Sequence, residues 1–291
     1  MTSMKYSVSI VVGTFLAISL LTLASCGCQR QSVNNNNGLV PIKQKTSPQS
    51  PDTGGETRPT YDFTAVDALL KQATPQLGGC ALVLIKDGKV IYRKAFGGYA
   101  LDKVVPIASA SKWLSGAVIM ALTDEGKLSL DDPVSKYLPK FSGDKTGITV
   151  RHLFSHTSGL PPEARCRNDK RTTLERCANE IVGLELRAKP GEQFYYGGAA
   201  MHVGGRVAEI VSGRSWNELF TDKIASPLGM TETDFFAYGP TANPRPEGDV
   251  RSSLDDYARF LQMILNEGRF NSQTILSRAA VTEMHKDQTA H

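Results

Sequence analysis

The sequence predicts an α+β fold, in which an antiparallel sheet packs beside a helical domain. Three observations carry this expectation. Residues 80–85 and 90–92 are apolar, strand-like runs joined by Lys86-Asp87-Gly88-Lys89, and an Asp-Gly pair between two such runs is a strong hairpin signal. Beyond the hairpin, apolar residues recur mostly at helical rather than alternating spacing. The protein has 291 residues, 41% of them hydrophobic, which is enough apolar material for one large core or two modest ones.

In sequence order, Phe63, Val66, Leu69 and Leu70 give helical spacing over residues 63–73, ahead of the hairpin. Residues 111–125 form a second helix with Leu114, Val118 and Leu122 on its buried face, stopped by Gly126. Thr149 caps a short helix that runs to Phe154. Residues 201–211 and 216–224 read as helices stopped by Gly213 and Pro227. Residues 253–267, closed by Gly268, and residues 277–285 complete the helical part. No internal repeat is present.

The formal net charge is only +4, and Lys and Arg are interleaved with Asp and Glu rather than clustered. Nucleic acid is therefore a poor partner. Residues 1–5 are weakly basic and residues 8–23 almost wholly apolar, the architecture of a signal peptide. The run is slightly shorter than the roughly 20 residues that cross a bilayer. Leu23-Ala24-Ser25-Cys26 resembles the lipobox of bacterial lipoproteins. The resemblance implies that residues 1–25 are removed and that Cys26 is lipidated. No Asp follows Cys26, which by resemblance favours the outer membrane, facing the periplasm, in a Gram-negative host. Residues 26–60 are polar and rich in Asn, Pro and Gly, a flexible tether that cannot bury enough apolar area to order itself. The folded domain then spans residues 61–291.

Ser109-Ala110-Ser111-Lys112 is the centre of the chemical reading. A serine hydroxyl must lose its proton to attack an acyl carbon, and residues three apart on a helix share a face. Lys112 is therefore placed to act as the base, aided by apolar neighbours such as Ile107, Trp113 and Leu114 that disfavour its charged form. Alone, Ser-x-x-Lys is a weak signal, and Ser142-Gly143-Asp144-Lys145 repeats it. Only the first copy opens a long apolar helix.

Pro106-Ile107-Ala108-Ser109-Ala110-Ser111-Lys112, with residues 125–139, 152–161, 190–196 and 227–230 in the same order and spacing, resembles the class C β-lactamase-related family of serine hydrolases. That family includes carboxylesterases and D-aminopeptidases. The resemblance covers roughly residues 75 to 285. It implies a serine β-lactamase/DD-peptidase-like fold, Ser109 as acylated nucleophile, Lys112 as base and Tyr196 as second proton relay. It also implies a small-molecule or peptidoglycan-like acyl substrate (an ester, a β-lactam or a D-amino-acid peptide) and no cofactor.

Two departures qualify the expectation. The family's Tyr-x-Asn is here Tyr196-Gly197-Gly198, with no amide to orient lysine or hold a substrate amide; this favours an ester over a β-lactam or peptide. The family's later Lys-Thr-Gly or His-x-Gly strand is not found after Met284. The sheet and oxyanion hole are therefore expected to be incomplete, and the domain truncated at its C-terminal end. Lys145-Thr146-Gly147 spells the motif in the wrong order, before the tyrosine. A catalytically impaired or non-enzymatic surface lipoprotein is the alternative reading. Cys166 and Cys177 flank a polar segment and are the candidate disulfide pair of an exported protein, while Cys80 reads as a small buried hydrophobe. His152 and His156 lack the accompanying residues of a zinc site, and a loop-bracing role suits His156.

Overall fold

The computed structural model describes residues 8–13 and 61–289. Cys26 and the tether of residues 26–60 lie outside the described residues. Of residues 1–25, Val8–Gly13 is described, as strand β1.

Helix α1 (Thr64–Leu77) starts where the Asp62 carboxylate accepts the Thr64 N–H at 2.9 Å, and it ends at Gly78, whose φ of 72° suits a residue without Cβ. It runs four residues past the expected end at 73. None of its side chains is fully buried, and Leu69 remains 65% exposed. The Tyr92 hydroxyl donates to Asp67 at 2.5 Å and ties the helix to the sheet.

Strands β2 (Gly79–Lys86) and β3 (Lys89–Gly97) form the predicted hairpin, longer than the apolar runs alone indicate. Both turn residues have positive φ, 50° at Asp87 and 73° at Gly88, the geometry that makes Asp-Gly effective there. The sheet order is β1-β2-β3, with β2 antiparallel to both neighbours. Cys80, Ala81, Leu82 and Val83 are all buried, so β2 is covered on both faces and reads as a continuous apolar run.

The larger core lies in the helical domain. Helix α2 (Ser111–Asp124) runs through it: Leu114, Val118 and Leu122 are 0% exposed, and Ala117, Ile119 and Ala121 are buried as well. Helix α3 (Val150–Phe154) is capped by Thr149, whose hydroxyl accepts the His152 N–H while His152 Nδ1 accepts the Thr149 N–H at 3.2 Å. His152 is thus a capping residue.

Asp132 braces the loop before α3. Its carboxylate accepts the Ser129 N–H at 2.7 Å, the Tyr137 hydroxyl at 2.5 Å and the Lys136 ammonium at 2.9 Å. The Tyr137 hydrogen bond leads in lowering its pKa to about 2, from an ordinary 3.8. The stability that follows is complete above pH 3.8 and is lost as the pH falls through about 2. Asp132→Asn is therefore expected to lower unfolding free energy by about 2 kcal/mol at neutral pH. In urea titrations across the acid range, the gap to wild type closes on acidification; a gap independent of pH would contradict this account.

Helix α4 (Leu174–Ile181) has no counterpart in the predicted elements. Its exposed Glu175, Arg176, Asn179 and Glu180 mask a narrow buried stripe of Leu174, Cys177, Ala178 and Ile181. Thr173 caps it, and a disulfide joins Cys177 to Cys166 in the turn of residues 165–168, with Cα atoms 5.2 Å apart. Helix α5 (Ala199–Ser212) begins directly after Gly198. The helix expected over 216–224 is divided: α6 (Trp216–Phe220) passes through a widened turn at 221–225 into α7 (Ser226–Leu228), with Pro227 in its first turn.

The short strands β4 (Val105–Pro106) and β5 (Arg251–Ser252) pair antiparallel. This pairing draws residues 243–250 against the start of α2. Helices α8 (Leu254–Leu265) and α9 (Arg278–Met284) follow, capped by Ser253 and Ser277. Ala258 of α8 packs on Val83 and Ile85 and forms a second, small core beneath the sheet. Among the described residues no helix is long and apolar enough to cross a membrane.

Candidate active site

Ser109 sits in a one-turn 3-10 segment, Ala108–Ala110, that leads directly into α2. Ala108 has a φ of 46°, a costly conformation for a residue with a Cβ, immediately before the serine. That kink turns the backbone from β4 into the helix with Ser109 at the junction.

Lys112 Nζ donates to Ser109 Oγ at 3.1 Å and to the backbone carbonyl of Glu247 at 2.9 Å. It also lies 4.8 Å from the centroid of the Tyr196 ring. The structure thus brings Ser109, Lys112 and Tyr196 together around one nitrogen. Partial burial pushes the Tyr196 phenol up, but hydrogen bonding with Ser109 and Lys112 and the nearby ammonium charge outweigh it. The phenol is left more acidic than its ordinary 10.0.

His156 packs against Tyr196 with ring centroids 4.9 Å apart, and edge-on against Phe194. Burial, with the Lys112 charge adding to it, pushes its imidazole down to about 4. It is a neutral brace beside the phenol at physiological pH. The second Ser-x-x-Lys copy makes no comparable arrangement: Lys145 pairs with Asp144 at 3.3 Å in a short 3-10 turn. Tyr195 donates to Gln193 at 2.5 Å, away from Lys112.

The sequence reading missed the loop of residues 243–250 altogether. Ser111 Oγ accepts the Val250 N–H at 3.1 Å, and Ser115 Oγ donates to the Pro246 carbonyl at 2.5 Å. These bonds clamp the loop along α2 and present the Glu247 carbonyl to Lys112. The signal available in the sequence was Asn243-Pro244-Arg245-Pro246-Glu247-Gly248-Asp249, a charged loop stiffened by two prolines. A cavity of about 240 Å³ lies along α2 beyond Lys112, walled by Trp113, Gly116, Met120, Phe154, Met201 and Met284.

A family model described as Beta-lactamase matches residues 66–290. This protein belongs to the β-lactamase family. A crystal structure of a β-lactamase-type protein from Bacteroides dorei superposes with a TM-score of 0.74 at 40% identity, covering 79% of this chain and 71% of that one. The octameric penicillin-binding protein homologue of Pyrococcus abyssi superposes with a TM-score of 0.67 at 27% identity, over 78% of this chain and 61% of that one. Among curated relatives, the D-alanyl-D-alanine-carboxypeptidase/endopeptidase AmpH of Escherichia coli is 32% identical over 54% of this chain and 45% of its own length. Protein flp of Staphylococcus aureus is 33% identical over 54% of this chain and 34% of its own. The match thus spans less than half the length of these curated relatives. The β-lactamase-type fold agrees with the α+β architecture expected from the sequence.

Proposed function

We propose that the protein is an exported serine hydrolase that works through an acyl-enzyme on Ser109, with Lys112 as base and Tyr196 as second proton relay. The observation that carries this reading is the Lys112 nitrogen, which lies on the Ser109 hydroxyl and against the Tyr196 ring at once. In its neutral form that nitrogen takes the Ser109 proton as Oγ bonds to the acyl carbon. The acidified Tyr196 phenol stands beside both groups and returns a proton to the leaving oxygen or nitrogen. Water then attacks the ester on Ser109 with the same groups working in reverse, releasing the acid and restoring the hydroxyl.

The substrate is read as a small-molecule or peptidoglycan-like acyl compound: an ester, a β-lactam or a D-amino-acid peptide. Gly198 offers no side-chain amide to hold a substrate amide, which favours an ester. The carboxypeptidase named among the relatives favours a D-peptide as the second choice. The reading also places the protein in a bacterial envelope, lipid-anchored through Cys26, so that the mature sheet keeps β2 and β3 and loses β1 with residues 1–25. A non-enzymatic surface lipoprotein remains the alternative reading, and Gly198 is the observation in its favour.

The test is covalent labelling of the folded protein with a fluorophosphonate or with penicillin, followed by intact-mass and peptide mass spectrometry. One adduct is expected, on Ser109, lost in Ser109→Ala and retained in Ser142→Ala. A well-folded protein that takes up neither probe and hydrolyses no chromogenic ester would sink the enzyme reading.

A further inference from the structure

Gly198 is not simply empty space. A Cβ built there would lie 2.5 Å from Arg167 Cζ and from Glu247 Cγ, deep inside contact distance. Both side chains are buried and cannot swing aside: Arg167 retains 8% exposure and Glu247 5%. The Arg167 guanidinium donates to Glu247 Oε1 from Nε at 2.8 Å and from Nη2 at 2.5 Å, and its Nη1 donates to Glu163.

The pair belongs to a wider polar cluster. Glu247 Oε2 faces His202 Nδ1 at 3.5 Å, and His202 Nε2 meets Asn243 Oδ1 at 2.8 Å. Asn243 Nδ2 in turn donates to the carbonyls of Cys166 at 2.9 Å and Asp169 at 3.0 Å. The turn that carries Arg167 is thereby held at both sides, by Asn243 and by the Cys166–Cys177 disulfide. Burial pushes the Glu247 carboxyl up, but His202 and Arg167 outweigh it and keep it below its ordinary value. The other end of the same residue is the carbonyl on which Lys112 rests.

We propose that Arg167, through its buried pair with Glu247, is the positioning residue for Lys112, and that it does so by filling the space a side chain at 198 would occupy. The guanidinium fork fixes the Glu247 side chain, which fixes the Glu247 peptide and so the direction of its carbonyl. A side chain at 198 and an arginine at 167 are then mutually exclusive. The proposal rests on Lys112 serving Ser109 as base, and its experiment separates the two claims.

The first arm is a thermal double-variant cycle that needs no activity. Gly198→Ala alone is expected to lower Tm by about 5 °C or more. In an Arg167→Ala/Glu247→Ala background, where both side chains that crowd position 198 are cut back, the same change costs about 2 °C or less. Additive effects in the cycle would overturn the shared-space claim. The second arm is competitive acetylation read by mass spectrometry. In Arg167→Met the reactivity of Lys112 rises several-fold relative to Lys136 and Lys223, whereas Arg167→Lys falls between Met and wild type. Unchanged Lys112 reactivity in a folded Arg167→Met protein would overturn the positioning role.

The third arm is the rate of Ser109 labelling by fluorophosphonate. Arg167→Met lowers the maximal rate constant about 100-fold and moves the half-saturating probe concentration by no more than about threefold. A wild-type rate in that variant would likewise overturn positioning. If wild type itself takes no label while the first two arms give the expected results, the hydrolase reading fails and the placement of Lys112 by Arg167 stands.

Discussion

Lys112→Met is expected to slow acylation of Ser109 by about 10³–10⁴-fold. Methionine keeps most of the aliphatic stem of Lys112 and removes the one nitrogen that touches Ser109, the Glu247 carbonyl and Tyr196. With no base, the hydroxyl must ionise unaided, and a serine hydroxyl is a weak nucleophile in that condition. The fold should survive, because Lys112 is only half-buried and its helix is held by Leu114, Val118 and Leu122. The stability cost is the unpaired Glu247 carbonyl, about 1–3 kcal/mol. Time courses of adduct formation by intact-mass spectrometry, beside circular dichroism, check the prediction. A folded Lys112→Met protein that labels within about tenfold of wild type would remove Lys112 from the role of base.

Trp216→Ala is expected to cost about 3–5 kcal/mol of stability, and Trp216→Phe much less. The Trp216 side chain is 0% exposed and packs edge-on against Phe235, with ring centroids 5.6 Å apart. It also backs α5, where a Cβ added to Gly205 would meet its ring at 3.5 Å. Its indole Nε1 has no hydrogen-bond partner among the described residues. Phenylalanine therefore loses contact area but no hydrogen bond, whereas alanine opens a cavity between α5, α6 and Phe235. Urea denaturation of the three proteins decides the matter. A Phe variant as unstable as the Ala variant would show that the indole nitrogen has a partner after all.

Much of the local structure was legible because its causes are local. The Asp87-Gly88 turn, the caps Thr149, Ser253 and Ser277, and the buried row of α2 each depend on residues within a turn or two of one another. Helix α4 was not legible because four polar residues among its eight dilute the apolar pattern, and the surface that buries Cys177 and Ile181 belongs to α5 and the turn around Cys166. The break after Phe220 was hidden for the opposite reason: apolar spacing continues through the widened turn to Ile224.

The candidate site divides along the same line. Ser109 and Lys112 are one helical turn apart, so their 3.1 Å contact follows from backbone geometry once the helix is granted. Tyr196 entered only by resemblance to a family, since its separation from Ser109 carries no information about distance in space. Glu247 lies 135 residues from Lys112 and Arg167 lies 80 from Glu247, and nothing in local pattern joins them. By itself, then, the sequence determined most of the helices, the hairpin and the serine–lysine pair, because each is set by dihedral preference and side-chain period within a few residues. Only the tertiary structure decided that Gly198 must lack a side chain and that an arginine and a glutamate fill its place, because that is a question of which distant atoms compete for one buried volume.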